Sequence, residues 1–203
     1  AGLWREWFDR FVVTNPEGFS ESALYRSALK QKDGRFLQEV KRNIDTAILE
    51  KTAPVRYFDR ATYPEAVIRR HAAERAKDLK GADQDQVRKT VDGLLQMLQG
   101  ESDLETIAIA LVSASELAQR DAETAPRVAA AARARLGADA AELVTAALKA
   151  LQRVGAPDDG LALEGLYDGL SIKEDMRDAR EQLLSTLYAL NGGYATMTKA
   201  LAD

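Results

Sequence analysis

Apolar residues recur three and four positions apart along nearly the whole chain, and this spacing restricts the fold more than any other feature. Leu24, Tyr25, Ala28 and Leu29 share one helical face, as do Leu37, Val40, Ile44, Ala47 and Ile48. Val87, Val91, Leu94, Leu95 and Leu98 repeat the pattern; Leu143, Val144, Ala147, Leu148 and Leu151 repeat it again, and Ile172, Met176, Ala179, Leu183 and Leu187 once more. A period near 3.6 is that of an amphipathic helix, and no stretch shows the strict alternation of a strand.

Start and stop signals agree with the spacing. Thr62/Glu65, Asp83/Gln86, Ser102/Glu105, Asp139/Glu142 and Ser171/Glu174 have the form of capping boxes, in which a short polar side chain and an acid or amide three residues on satisfy free backbone N–H groups. Gly34, Gly81, Gly100, Gly137, Gly155 and the Asn191-Gly192-Gly193 run supply stops. The expected fold is all-α, a multi-helix bundle of about ten helices. An echo at an offset of 37 residues keeps a short α-solenoid of stacked helix pairs as the alternative. It pairs Val91 with Val128, Gly100 with Gly137, Glu105 with Glu142, Ile107 with Val144, Ala110 with Ala147 and Leu111 with Leu148. The helix containing "IAIALV", 103–119, is apolar on most sides and is expected at the centre of the C-terminal part.

Ten of the thirteen aromatic residues precede Pro64, and charge shifts from +2 in residues 1–63 to −6 afterwards. Pro54 and Pro64 interrupt helix around "APVRYFDRATYP". The expected division is an aromatic-rich helical unit over 1–63 and an Ala/Leu-rich bundle over 64–203, with one continuous domain as the alternative.

Composition excludes several classes of function. A net charge of −4 and a pI near 5.3 argue against a dedicated nucleic-acid binder, which needs a basic stripe to displace counterions from phosphates. No apolar run approaches the roughly 18 residues of a membrane span. Without cysteine the chain forms no disulfide, thiolate nucleophile or Cys-ligated zinc site. That usage suits either side of a bacterial inner membrane; the cytoplasm is slightly favoured over a processed periplasmic or secreted form. There is no phosphate-binding glycine loop, G-x-S-x-G elbow, H-E-x-x-H pair or calcium-loop spacing. With a single histidine, neither a di-iron bundle nor a metal-binding histidine pair can be built. No catalytic residue, metal or cofactor is assigned.

Three clusters remain. His71 falls outside the stripe of Ile68, Ala72, Ala76 and Leu79, near Glu74 and Asp78, and reads as a surface imidazole beside helical carboxylates. On the same helix Arg69, Arg70, Lys77 and Lys80 gather within about 100°. They form a basic face that either is solvated or meets an acidic partner. Glu174, Asp178 and Glu181 stand at metal-binding spacing, but Arg177 and Arg180 are interleaved with them and neutralise them within the helix.

The N-terminal "GLWREWFDRFVV" places Leu3, Trp4, Trp7, Phe8 and Phe11 on one face and Arg5, Glu6, Asp9 and Arg10 on the other. The polar face sums to zero charge, unlike the basic face of a membrane-surface helix. Burial in the chain's own core is expected, with a partner groove next. The leading functional expectation is a non-enzymatic protein that binds another protein, as adaptor, regulatory subunit or inhibitor. Trp4, Tyr57, Phe58, Arg69, Arg70, Lys77 and Lys80 are its candidate contact residues. The alternatives are a small-molecule sensor or carrier with an apolar pocket among the aromatic helices, and a helical enzyme using carboxylates alone. Trp7→Ala is expected to destabilise the chain by roughly 3–5 kcal/mol. Blue-shifted fluorescence poorly quenched by iodide is expected alongside, whereas a docking face would leave the melting temperature unchanged and the indoles easily quenched.

Overall fold

A computed structural model of the chain describes residues 34–119, 121–171 and 174–190. The aromatic helix with Trp4, the Ser171/Glu174 box and the Asn191-Gly192-Gly193 break lie wholly or partly outside the described residues, as does the side chain of Lys80. The chain is all-α, with nine α-helices and no strand among the described residues. In chain order they are α1 (Gly34–Leu49), α2 (Ala66–Ala76), α3 (Gln84–Gly100), α4 (Leu104–Ala118), α5 (Ala125–Arg133), α6 (Ala141–Val154), α7 (Pro157–Glu164), α8 (Leu166–Ser171) and α9 (Arg177–Ala189). None of these is long and apolar enough to cross a membrane.

The helices lie in two layers. One is a row in which α1 packs on α2, α2 on α4, α4 on α6 and α6 on α9. The other holds α3 against α4, α5 against α4 and α6, and α7 and α8 against α9. Within the row α2, α4, α6 and α9 begin at 66, 104, 141 and 177, an interval of 36–38 residues that matches the echo in the sequence. The bundle is therefore laid down as stacked helix pairs.

Equivalent positions in the row are buried in columns. Ile68, Thr106, Leu143 and Ala179 form one; Ala72, Ala110, Ala147 and Leu183 form the next; Ala76, Ala114, Leu151 and Leu187 form a third. Alanines in the second column, all at 0% exposure, let α2, α4 and α6 approach closely, since the side chains at the contact set the separation of packed helices. Helix α4 sits mid-row, with α2 and α6 on its flanks and α3 and α5 behind it, which is why its sequence is apolar nearly all round. Two buried hydroxyls are satisfied by backbone: Ser115 donates to the Val112 carbonyl, and Thr186 donates to the Leu148 carbonyl across the α6–α9 contact.

The prolines around 54–64 do not open a gap in the core. Val55–Phe58 forms a 3₁₀ turn packed on α2 and α3, and Tyr57, Phe58 and Tyr63 join the same buried cluster as Ile44 of α1 and Leu111 of α4. Gly93 makes this possible. A Cβ there would lie 2.9 Å from Val55 Cγ1 and 3.0 Å from Phe58 Cδ2, so only glycine lets the turn settle on α3.

The caps depart from the expected boxes, each in its own way. At α4 the cap is Asp103, one residue after Ser102, and its carboxylate accepts from the Thr106 amide. Asp83 does cap α3, but Gln86 turns away to accept from the Ala53 amide, tying the 3₁₀ segment to α3. Thr62 donates to Asp59 instead of capping α2, and α6 starts at Ala140 with no side-chain cap. Several acceptors compete for each free N–H, and tertiary contacts decide among them. From the position of α4, Leu111→Ala is expected to cost roughly 2–5 kcal/mol in urea melts, and a loss below about 1 kcal/mol would place the helix at an edge.

Candidate interaction groove

Two of the four residues of the expected basic face on α2, Arg69 and Arg70, are held by acids of the chain. Arg69 is 2% exposed and points inward: Nε donates to Glu101 Oε2 at 2.6 Å, Nη2 to Oε1 at 3.0 Å, and Nη1 to the Tyr63 carbonyl at 2.6 Å. Arg70 is engaged by Asp103 at 2.9 Å and by Glu105. Arg75 pairs with Asp45 and Asp78. A helical wheel places Arg69 and Arg70 on one side of α2, away from Arg75, but contains nothing about the acids that α1, α4 and the α3–α4 loop bring to them. His71 is corrected in the same way. Its Nε2 lies 3.1 Å from Asp45 of α1, so its carboxylate neighbour comes from another helix, not from Glu74.

Tyr57 and Phe58, offered by the sequence as contact residues, are 2% and 4% exposed and pack into the core with Tyr63, whose ring centroid is 5.3 Å from that of Tyr57. Burial pushes the Tyr57 hydroxyl above its ordinary value, although the charge and hydrogen bond of Arg56 oppose this. These two residues, with Arg69, belong to the interior. A cavity of about 360 Å³ that reaches Tyr57 has a mixed lining, with Asn43, Thr46, Glu50 and Lys89 beside Ala47, Ala53 and Val55.

A different surface has the character of a site. The open face of the row α2–α4–α6–α9 carries a groove of about 430 Å³. Its floor is Ala108, Ile109 and Val112 of α4 with Ala141 and Ala146 of α6. Ile109 and Val112 are only partly buried, although they belong to the most enclosed helix among the described residues. Around the floor stand Glu74 and Lys77 from the α2 side, Glu142 and Lys149 of α6, and Asp178 of α9. None of these five charged side chains has an ion-pair partner among the described residues. Thr145, also in the wall, has an Oγ1 that is shielded from solvent and without a hydrogen-bond partner.

Of the candidate contact residues, the groove thus takes in Lys77 alone among those described. Of the 172–181 cluster it takes Asp178, while Glu181 is held by Arg177 at 3.2 Å. Ile109, Val112, Glu142 and Lys149 were not among the contact residues that the sequence offered. The signal for Ile109 and Val112 was present in "IAIALV", which carries more apolar faces than its neighbours cover. Glu74, Glu142 and Asp178 come from three helices, but no group of three Asp, Glu or His side chains among the described residues is placed to hold a metal ion. Comparison with family models, with curated proteins and with solved structures found no match.

The cap of α4 responds to pH. The Asp103 carboxyl is held down to about 2 by hydrogen bonds from the Thr106 hydroxyl, Arg70 and the Thr106 amide. Burial alone would raise Glu101, but bonds from Arg69 and from the Asp103 and Ser102 amides outweigh it and hold that carboxyl low as well. A carboxyl depressed by folding contributes stability that is complete above its unfolded value, about 3.9 for Asp, and is lost as pH falls through the folded one. Melting temperature is therefore expected to fall between about pH 4 and pH 2. Asp103→Asn should be less stable than the parent at neutral pH and lose less than the parent across that acid window.

Proposed function

We propose that the chain is a non-enzymatic binding protein, an adaptor, regulatory subunit or inhibitor, that holds a segment of another protein in the groove over α4 and α6. The observation that carries this reading is the partly exposed Ile109–Val112 surface, ringed by charged side chains that the chain leaves without ion pairs. Apolar floor and polar rim is the anatomy of a protein-binding surface, where a few central side chains carry most of the affinity and the rim fixes orientation. The groove spans helices of several stacked pairs, and stacked pairs commonly bind through the open face of their row. An amphipathic helix laid along the groove, with its apolar residues on Ile109 and Val112, matches this surface.

The test uses peptides displayed from a random library and selected on the whole chain. Binders are expected to lose at least about tenfold in affinity, or about 1.4 kcal/mol, on Val112→Glu. The melting temperature should barely move, because the substituted side chain already reaches solvent. Selected peptides that bind the Val112→Glu variant as well as the parent would overturn the reading.

A further inference from the structure

We infer that the segment held in the groove presents an arginine to Glu142 and Asp178, in the place that the chain's own Arg70 fills one helix pair earlier. The inference rests on the groove being the binding surface, and deepens that reading. It follows from comparing equivalent positions along the row. The second residue of α4, α6 and α9 is acidic each time: Glu105, Glu142 and Asp178. The fifth residue of the preceding helix differs: Arg70 on α2, Ala108 on α4 and Thr145 on α6.

At the α2–α4 contact Arg70 closes the surface by bridging Asp103 and Glu105. At the α4–α6 contact the equivalent of Arg70 is a methyl group, and the equivalent of Asp103 is Ala140. Glu142 is left without a cation, and the space an arginine would fill becomes part of the groove. At the α6–α9 contact Thr145 stands in the same place. Its Oγ1 has no partner, and Asp178 has no ion pair. Two carboxylates that lack the cation held by their counterpart therefore line one groove, together with the alanine and threonine that stand in for the missing arginines. Lys77 and Lys149 line it too, but neither forms an ion pair with Glu142 or Asp178. Lys149 is seven residues along α6 from Glu142, about 10 Å at the rise of a helix. A guanidinium suits the vacant place better than an ammonium, because its planar fork spans two acceptors, as Arg70 already does.

The experiment selects peptides from a random dodecamer display library on the whole chain and measures their affinities by fluorescence anisotropy. Binders are expected to carry apolar residues and an arginine whose replacement by alanine weakens binding about tenfold, and by lysine to a lesser degree. The chain carrying Glu142→Gln and Asp178→Asn should lose the same factor for the arginine peptide and nothing for its alanine version, so the two effects are coupled. Ala108→Arg, which restores the missing cation, should weaken the arginine peptide at least as much while keeping or raising the melting temperature. Peptides that depend on Val112 but show no arginine dependence, or no coupling to the two acids, would overturn the arginine inference and leave the groove intact. Peptides indifferent to Val112→Glu would overturn the groove and this inference together.

Discussion

The buried pair of Arg69 and Glu101 is the interaction on which the rest of the arrangement depends. Taking two charges out of water is expensive, and a pair in this setting holds only when its geometry is good and the leftover donors and acceptors are used. Both conditions are met. The guanidinium makes two bonds to the carboxylate and one to the Tyr63 carbonyl, and the carboxylate also accepts from the Ser102 and Asp103 amides. One ion pair thereby joins the segment before α2, α2 itself and the turn between α3 and α4. It fixes where α4 begins relative to α2, and so places Asp103 and Glu105 within reach of Arg70.

Once that first interval is set, similar contacts carry the register onward. Arg88 of α3 reaches Asp121 before α5, Arg135 after α5 donates to the Leu98 carbonyl of α3, and Arg153 of α6 reaches Glu116 of α4. Arg133 at the end of α5 meets Asp159 in α7. Pairs whose arginine is partly exposed contribute little energy each. Their effect is on alignment. The energy comes from the apolar columns between the helices, where a fully buried Leu or Ile contributes roughly 1.5–3 kcal/mol. Columns of alanine and leucine tolerate sliding; a charge pair, or at the α6–α9 contact the bond from Thr186 to the Leu148 carbonyl, does not.

This division of labour explains what could be read from the sequence. Helix content, the central place of α4 and the 37-residue echo are local or periodic properties, and each is visible in the spacing of apolar residues. The partners of charged side chains are not. Arg69 and Glu101 are 32 residues apart, His71 and Asp45 are 26 apart, and nothing in either neighbourhood names the other. A run such as "RRHAAERAKDLK" thus reads as a basic face until the acids of neighbouring helices are in place. The caps fell between these cases. A cluster of Ser102, Asp103 and Glu105 marks a helix start, but which residue caps it depends on Arg70, which holds Asp103 from the other side. The groove was hidden for a further reason. Excess apolar surface on α4 looks the same in sequence whether a neighbour covers it or not.

The repeat makes that last distinction accessible. In a single bundle each surface residue stands alone, and an unpaired glutamate on a helix means little. In a row of equivalent helices the paired and unpaired versions of one position appear side by side. Glu105, held by Arg70, shows how the chain closes such a contact when the helix before it supplies an arginine. Glu142 and Asp178 show the same position when that arginine is replaced by Ala108 and Thr145. The substitution leaves the apolar columns in place, since Ala108 and Thr145 stand outside them and line the groove. What changes is confined to the open face: a bridging cation disappears, a groove about 430 Å³ in volume takes its place, and two carboxylates are left facing it. Interaction surfaces on stacked helices can arise in this way, by leaving out at one contact the side chain that seals the contact before it.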